Sequence, residues 1–131
     1  MRLTTKLFLE HNDEFVMGAG RIALLKSIKE LGSLRKAAEK AGMSYRWAWG
    51  RMNKAEEALG VKLLVRSNEA VGGRPMILTG EALELIEWYA KVQEGIQKTL
   101  NCMDESMPVF LKNIPEKSRP ADAKKKRLPL D

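Results

Sequence analysis

A few residues between positions 21 and 60 fix where helices must stop and start. Gly32, Gly42 and Gly60 each close an apolar-periodic stretch, where a left-handed C-terminal cap favours glycine. Ser33 and Ser44 follow the first two of these, and serine there accepts a backbone N–H from the next helix's first turn. The pattern predicts helices over about 21–31, 34–41 and 45–59. In the first, Ile22, Leu25, Ile28 and Leu31 recur at near-helical spacing, and Leu24 widens the stripe. The second offers a small inner side of Ala37, Ala38 and Ala41, over which another helix can cross closely. Two helices joined by a tight, glycine-containing turn are the outline of a helix-turn-helix, placed at 33–59.

The flanks complete the architecture. Residues 4–9 and 14–17 read as short strands around the polar turn His11-Asn12-Asp13, giving a β-hairpin within 1–18. Residues 61–66 and 75–78 read as a second hairpin within 61–79, its tip ending in Gly72-Gly73. A hairpin directly after the second helix of the motif is a wing. Thr79 then caps a long helix over 80–100, with Glu81 at the positive end of its dipole. Leu85, Tyr89, Val92, Ile96 and Leu100 form one apolar line on it, and Leu83, Ile86 and Ala90 a second. Two lines exceed what one surface helix usually buries, so the first is assigned to dimerisation and a homodimer is expected. A single broad stripe packed on its own domain is the alternative. Residues 101–131 are expected to be a largely disordered tail. It has prolines at 108, 115, 120 and 129, a basic run at 124–127, and a Val109-Phe110-Leu111 segment able to dock. The fold class is mainly α with small β: one winged helix-turn-helix domain over 1–100.

Charge locates the working face. The chain has 23 Lys and Arg, 17 Asp and Glu, and a net charge of +6. Between Ser33 and Lys54 there are six cations (Arg35, Lys36, Lys40, Arg46, Arg51 and Lys54) and one acid, Glu39, a net +5. That concentration lies where such a motif meets DNA. With one cysteine, Cys102, and one histidine, His11, disulfides within the chain, His/Cys metal clusters and histidine-based triads are excluded by count. No phosphate-binding loop is present, and Glu56-Glu57 and Glu84-Glu87 read as solvated surface charge. No signal peptide and no apolar run of roughly 18 residues is seen. A cytoplasmic protein that is not an enzyme, with no cofactor, no metal and no membrane contact, is expected.

On a helical wheel of the third helix, Tyr45, Ala48, Trp49, Met52, Ala55 and Leu59 fall on the core side. Arg46, Trp47, Gly50, Arg51 and Lys54 share the opposite face. The N-terminal residues of a recognition helix meet base edges, which here are Ser44, Tyr45, Arg46 and Trp47. Arg46 is the first candidate for bidentate pairing with guanine. Arg51 and Lys54 suit bases or phosphates, and Trp47 suits a thymine methyl, a sugar edge or the wing. Gly50 either lets a groove wall approach or relieves a clash inside the protein. Ser33, Arg35 and Lys36, at the start of the preceding helix, suit a phosphate. Arg66 and Arg74 flank the wing tip and are assigned to DNA contact; Arg74, beside Gly72-Gly73, either reaches the minor groove or is simply an exposed loop arginine.

The runs Arg21-Ile22-Ala23-Leu24-Leu25, Gly32-Ser33-Leu34, Ala37-Ala38, Gly42-Met43-Ser44-Tyr45-Arg46 and Ala48-Trp49 carry a family resemblance. Leu59-Gly60-Val61, Leu63-Leu64-Val65, Gly72-Gly73 and Leu78-Thr79 continue it. Over roughly 3–100 the chain resembles the N-terminal domain of ModE-type molybdate-responsive transcriptional regulators, and more distantly the DNA-binding domain of LysR-type regulators. The resemblance implies a dimeric, sequence-specific DNA binder whose long last helix pairs two chains. It puts Ser44, Tyr45 and Arg46 at the start of the recognition helix. Trp47 is bulkier than that family leads one to expect, and the wing is shorter. Only 31 residues follow Leu100, too few for the family's molybdate sensor, so molybdate binding by this chain alone is not expected. The competing function is a winged-helix protein-interaction module that does not itself read DNA.

Overall fold

The computed structural model describes residues 1–67 and 75–115. The expectations for Gly72, Gly73 and Arg74, and for the tail from residue 116, lie outside the described residues. The order of elements is β1 (Leu9–His11), β2 (Glu14–Met17), α1 (Ala19–Leu31), α2 (Leu34–Ala41), α3 (Tyr45–Leu59), β3 (Leu64–Arg66), β4 (Met76–Leu78) and α4 (Gly80–Met103). A 3₁₀ turn (Asp104–Ser106) and the four-residue α5 (Val109–Lys112) follow.

The helix punctuation works through the expected groups. Gly32, Gly42 and Gly60 take φ values of 67°, 72° and 72°, and each donates its N–H back into the helix it ends. Ser33 Oγ accepts from Lys36 N at 3.1 Å, and Ser44 Oγ from Trp47 N at 3.1 Å. Ala37, Ala38, Ala48 and Ala55 are all buried, which lets α2 and α3 approach closely over the stripe Ile22, Leu24, Leu25 and Ile28 of α1. Ala41, expected inside, is exposed.

Both hairpins are antiparallel and shorter than expected. Asn12 and Asp13 have φ of 52° and 63°, the mirror-image turn that suits a two-residue hairpin loop. His11 therefore pairs with Glu14, and pairing ends at Leu9 opposite Met17, because the chain then enters α1. Residues 4–8 have no strand to join, so the expected 4–9 strand is replaced by 9–11. In the wing, Leu64, Val65 and Arg66 pair with Leu78, Ile77 and Met76. Residues 61–63 stay out of the ladder; the N–H groups of Leu63 and Leu64 both go to the Glu56 carboxylate, at 2.8 and 3.2 Å. Met76 N donates to Gly32 O at 3.0 Å, tying the wing base to the turn before α2.

The first half of α4 closes the core. Thr79 Oγ1 donates to Lys62 O and accepts from Ala82 N. Tyr89 is 1% exposed, and its hydroxyl donates to Leu7 O at 2.8 Å. Tyr89 thus faces its own chain and offers a partner no surface, which corrects its assignment to dimerisation. Leu85 also packs against this core. Past Tyr89 no residue of α4 is buried; Val92, Ile96 and Leu100 are half-buried. The expected break at residue 101 is absent, since α4 runs on to Met103. Val109 and Phe110 are each 70% exposed, so this segment does not dock on its own domain.

Candidate nucleic-acid interface

The α2–α3 turn sets the direction of α3. Gly42 reverses the chain and Ser44 starts the new helix. Ala48, Met52 and Ala55 turn inward. Arg46, Trp47 and Lys54 are exposed on the other side, with Gly50 among them. A Cβ on Gly50 would meet nothing within 4 Å. The glycine therefore relieves no internal clash, and the outer face of α3 has an open notch at its middle.

The expected site residues gather into two grooves on either side of the start of α3. The first, of about 350 Å³, is lined by Ser44, Arg46, Trp47, Gly50, Arg51 and Lys54. The second, of about 190 Å³, takes in Ser33, Arg35, Tyr45 and Arg66. There the Arg35 guanidinium lies 4.6 Å from the centroid of the Tyr45 ring, which holds it beside the N-terminus of α2. Lys36 is exposed on the same short helix. In both grooves cations stand next to backbone N–H groups at a helix start, an arrangement that suits phosphate oxygens.

Three residues escaped the sequence reading. Arg21 also lines the first groove although it is only 7% exposed; its Nη1 donates to Val16 O at 2.7 Å, and it lies 4.6 Å from the Phe15 ring centroid. Its partners come from the hairpin, so helical periodicity could not flag it. Trp49, expected in the core, is 52% exposed and lines a groove with Leu64, Val65 and Met76 of the wing. Among the described residues it is Trp49 that stands by the wing, while the Arg51 guanidinium lies over the Trp47 ring. Glu56, read as solvated, is the latch of the wing, with its side chain 13% exposed and Lys62 Nζ 3.7 Å away. Among the described residues no three His, Cys, Asp or Glu side chains gather at one point, and no helix is long and apolar enough to cross a membrane.

A three-helix unit with a β-hairpin packed beside the second helix of a capped pair is a winged helix-turn-helix. Residues 20–83 match the family described as bacterial regulatory helix-turn-helix protein, lysR family. Molybdenum-pterin-binding protein MopB of Rhodobacter capsulatus is 31% identical over 91 residues, covering 70% of this chain and 34% of that protein. DNA-binding transcriptional dual regulator ModE of Escherichia coli (strain K12) is 30% identical over 111 residues, covering 83% of this chain and 39% of that protein. Among solved structures, the CbnR DNA-binding domain in complex with DNA has a TM-score of 0.51 at 22% identity, covering 67% of this chain and 95% of that one; the likeness is one of fold. The helix-turn-helix of residues 20–83 is thus LysR-type, and the chain is similar to ModE and MopB. The chain spans little more than a third of the length of these curated relatives.

Proposed function

We propose that this chain is a sequence-specific DNA-binding transcriptional regulator that acts as a homodimer. The carrying observation is the outer face of α3: Arg46 and Lys54 exposed on either side of an open Gly50, with no carboxylate lining the groove they share. An α-helix of this kind fits a major groove. Arg46, in its first turn, is assigned to base edges, and Arg35, Lys36 and Arg66 to phosphates beside the groove. The names of the relatives and of the DNA-bound neighbour support the same reading. DNA binding of this kind belongs in the cytoplasm of a bacterium.

The dimer would use the part of α4 past Tyr89, and its two half-sites would lie about 34 Å apart or a multiple of that. The test is selection from a random-sequence duplex pool at two salt concentrations, followed by sequencing. An enriched two-fold symmetric motif, weakened by salt and lost in Arg46→Ala, is expected. Retention without enrichment would replace specific recognition with general duplex binding. No retention at low salt would leave the protein-interaction module as the function.

A further inference from the structure

Three arginines line the groove on the hairpin side of α3, and two of them, Arg21 and Arg51, lie over an aromatic ring. Arg21 sits on Phe15 and also holds the Val16 carbonyl, so the packing of β2 against α1 accounts for its place. The second pair is more open to solvent. The Arg51 guanidinium is 4.9 Å from the centroid of the Trp47 ring, and Trp47 is 57% exposed. The fold gains little from an indole so placed.

Position on the helix narrows what that arginine can reach. Arg51 comes five residues after Arg46, about 140° further around the axis. Arg46 is exposed and points away from the core, whereas Arg51 is half-buried on the flank. A helix lying in a major groove turns its outer face to base edges and its flanks to the sugar-phosphate walls. The planar fork of arginine matches two phosphate oxygens at once. An aromatic face beneath that fork limits its orientations before DNA arrives.

We infer that Trp47 is a positioning residue for DNA binding: it stacks Arg51 so that the guanidinium is presented to a backbone phosphate in the groove shared with Arg21. The inference rests on the reading of the chain as a DNA-binding protein. It gives Arg51 an affinity role without base reading, and it gives a neutral side chain an electrostatic effect.

The experiment measures affinity of the full chain for its selected duplex and for an unrelated duplex across a salt series. Arg51→Ala is expected to lower the slope of log K against log salt by about 0.9, the loss of one phosphate contact. Trp47→Ala is expected to weaken binding to both duplexes alike, by about two- to fivefold, and to lower the slope although it removes no charge. Trp47→Leu, which keeps apolar bulk without a ring, behaves like Trp47→Ala, and Trp47→Phe restores both affinity and slope. The double variant Trp47→Ala/Arg51→Ala binds no more weakly than Arg51→Ala. An unchanged slope in Trp47→Ala and Trp47→Leu, additive losses, or a loss confined to one base position would each overturn the inference while leaving DNA binding intact. Failure of the unsubstituted chain to bind any duplex would instead remove the reading on which it rests.

Discussion

Gly50 stands in mid-helix on a face that the other described residues leave open, and glycine there costs about 1 kcal/mol relative to alanine. Its φ lies outside the left-handed region, so the backbone does not demand glycine. What remains is the approach of something from outside. Gly50→Ala is therefore expected to raise the unfolding free energy by about 1 kcal/mol in urea titration while weakening duplex binding. A variant that gains stability and binds unchanged would show that DNA keeps clear of this notch. The outer face of α3 was legible from the sequence because Arg46, Gly50 and Lys54 follow helical spacing. Arg21 was not, since its burial depends on Phe15 and Val16 of another element. Trp49 misled for a related reason. It lies next to Met52 on the wheel, yet it stands at the edge that the wing meets rather than under α1 and α2.

Elements whose ends are set by local chemistry were read closely. The bounds of α2 and α3 match the expectation because a serine hydroxyl and a left-handed glycine act within three or four residues of the chain. Strands depend on a partner, and their ends moved: β1 begins only at Leu9, opposite the last residue of β2, and β3 begins at Leu64, the first residue that pairs with β4. Glu56 is the element-scale link between recognition helix and wing, since one carboxylate oxygen accepts both the Leu63 and the Leu64 N–H. Hydrogen bonds to a charged group contribute about 1.5–3 kcal/mol. Glu56→Ala is expected to lower stability by about 2 kcal/mol in urea titration, and Glu56→Gln, which keeps an acceptor without the charge, by less. Equal stability of all three proteins would mean that the wing is held by its apolar contacts alone.

The whole molecule poses the question of what the far half of α4 is for. A helix of 24 residues is about 36 Å long, yet its buried residues, Ala82 and Tyr89, both lie in its first half. Beyond them Val92, Ile96 and Leu100 recur at helical spacing and remain half-buried. The N-terminal segment only partly covers this face, leaving an open groove of about 310 Å³ lined by Leu3, Leu7, Gln93 and Ile96 among others. A second copy, laid along the same line, would complete the burial of all three side chains. Because this half of the helix adds nothing to the domain core, damage to it should separate assembly from folding. Val92→Glu/Ile96→Glu is expected to turn a dimer into a monomer in sedimentation at micromolar concentration, with the thermal transition of the domain retained. The same variant should lose affinity steeply for a duplex carrying two half-sites and little for a duplex carrying one, because only the first contact depends on the partner. If the unsubstituted chain sediments as a monomer while still selecting a two-fold symmetric motif, the pairing of chains must be induced by DNA and not by α4.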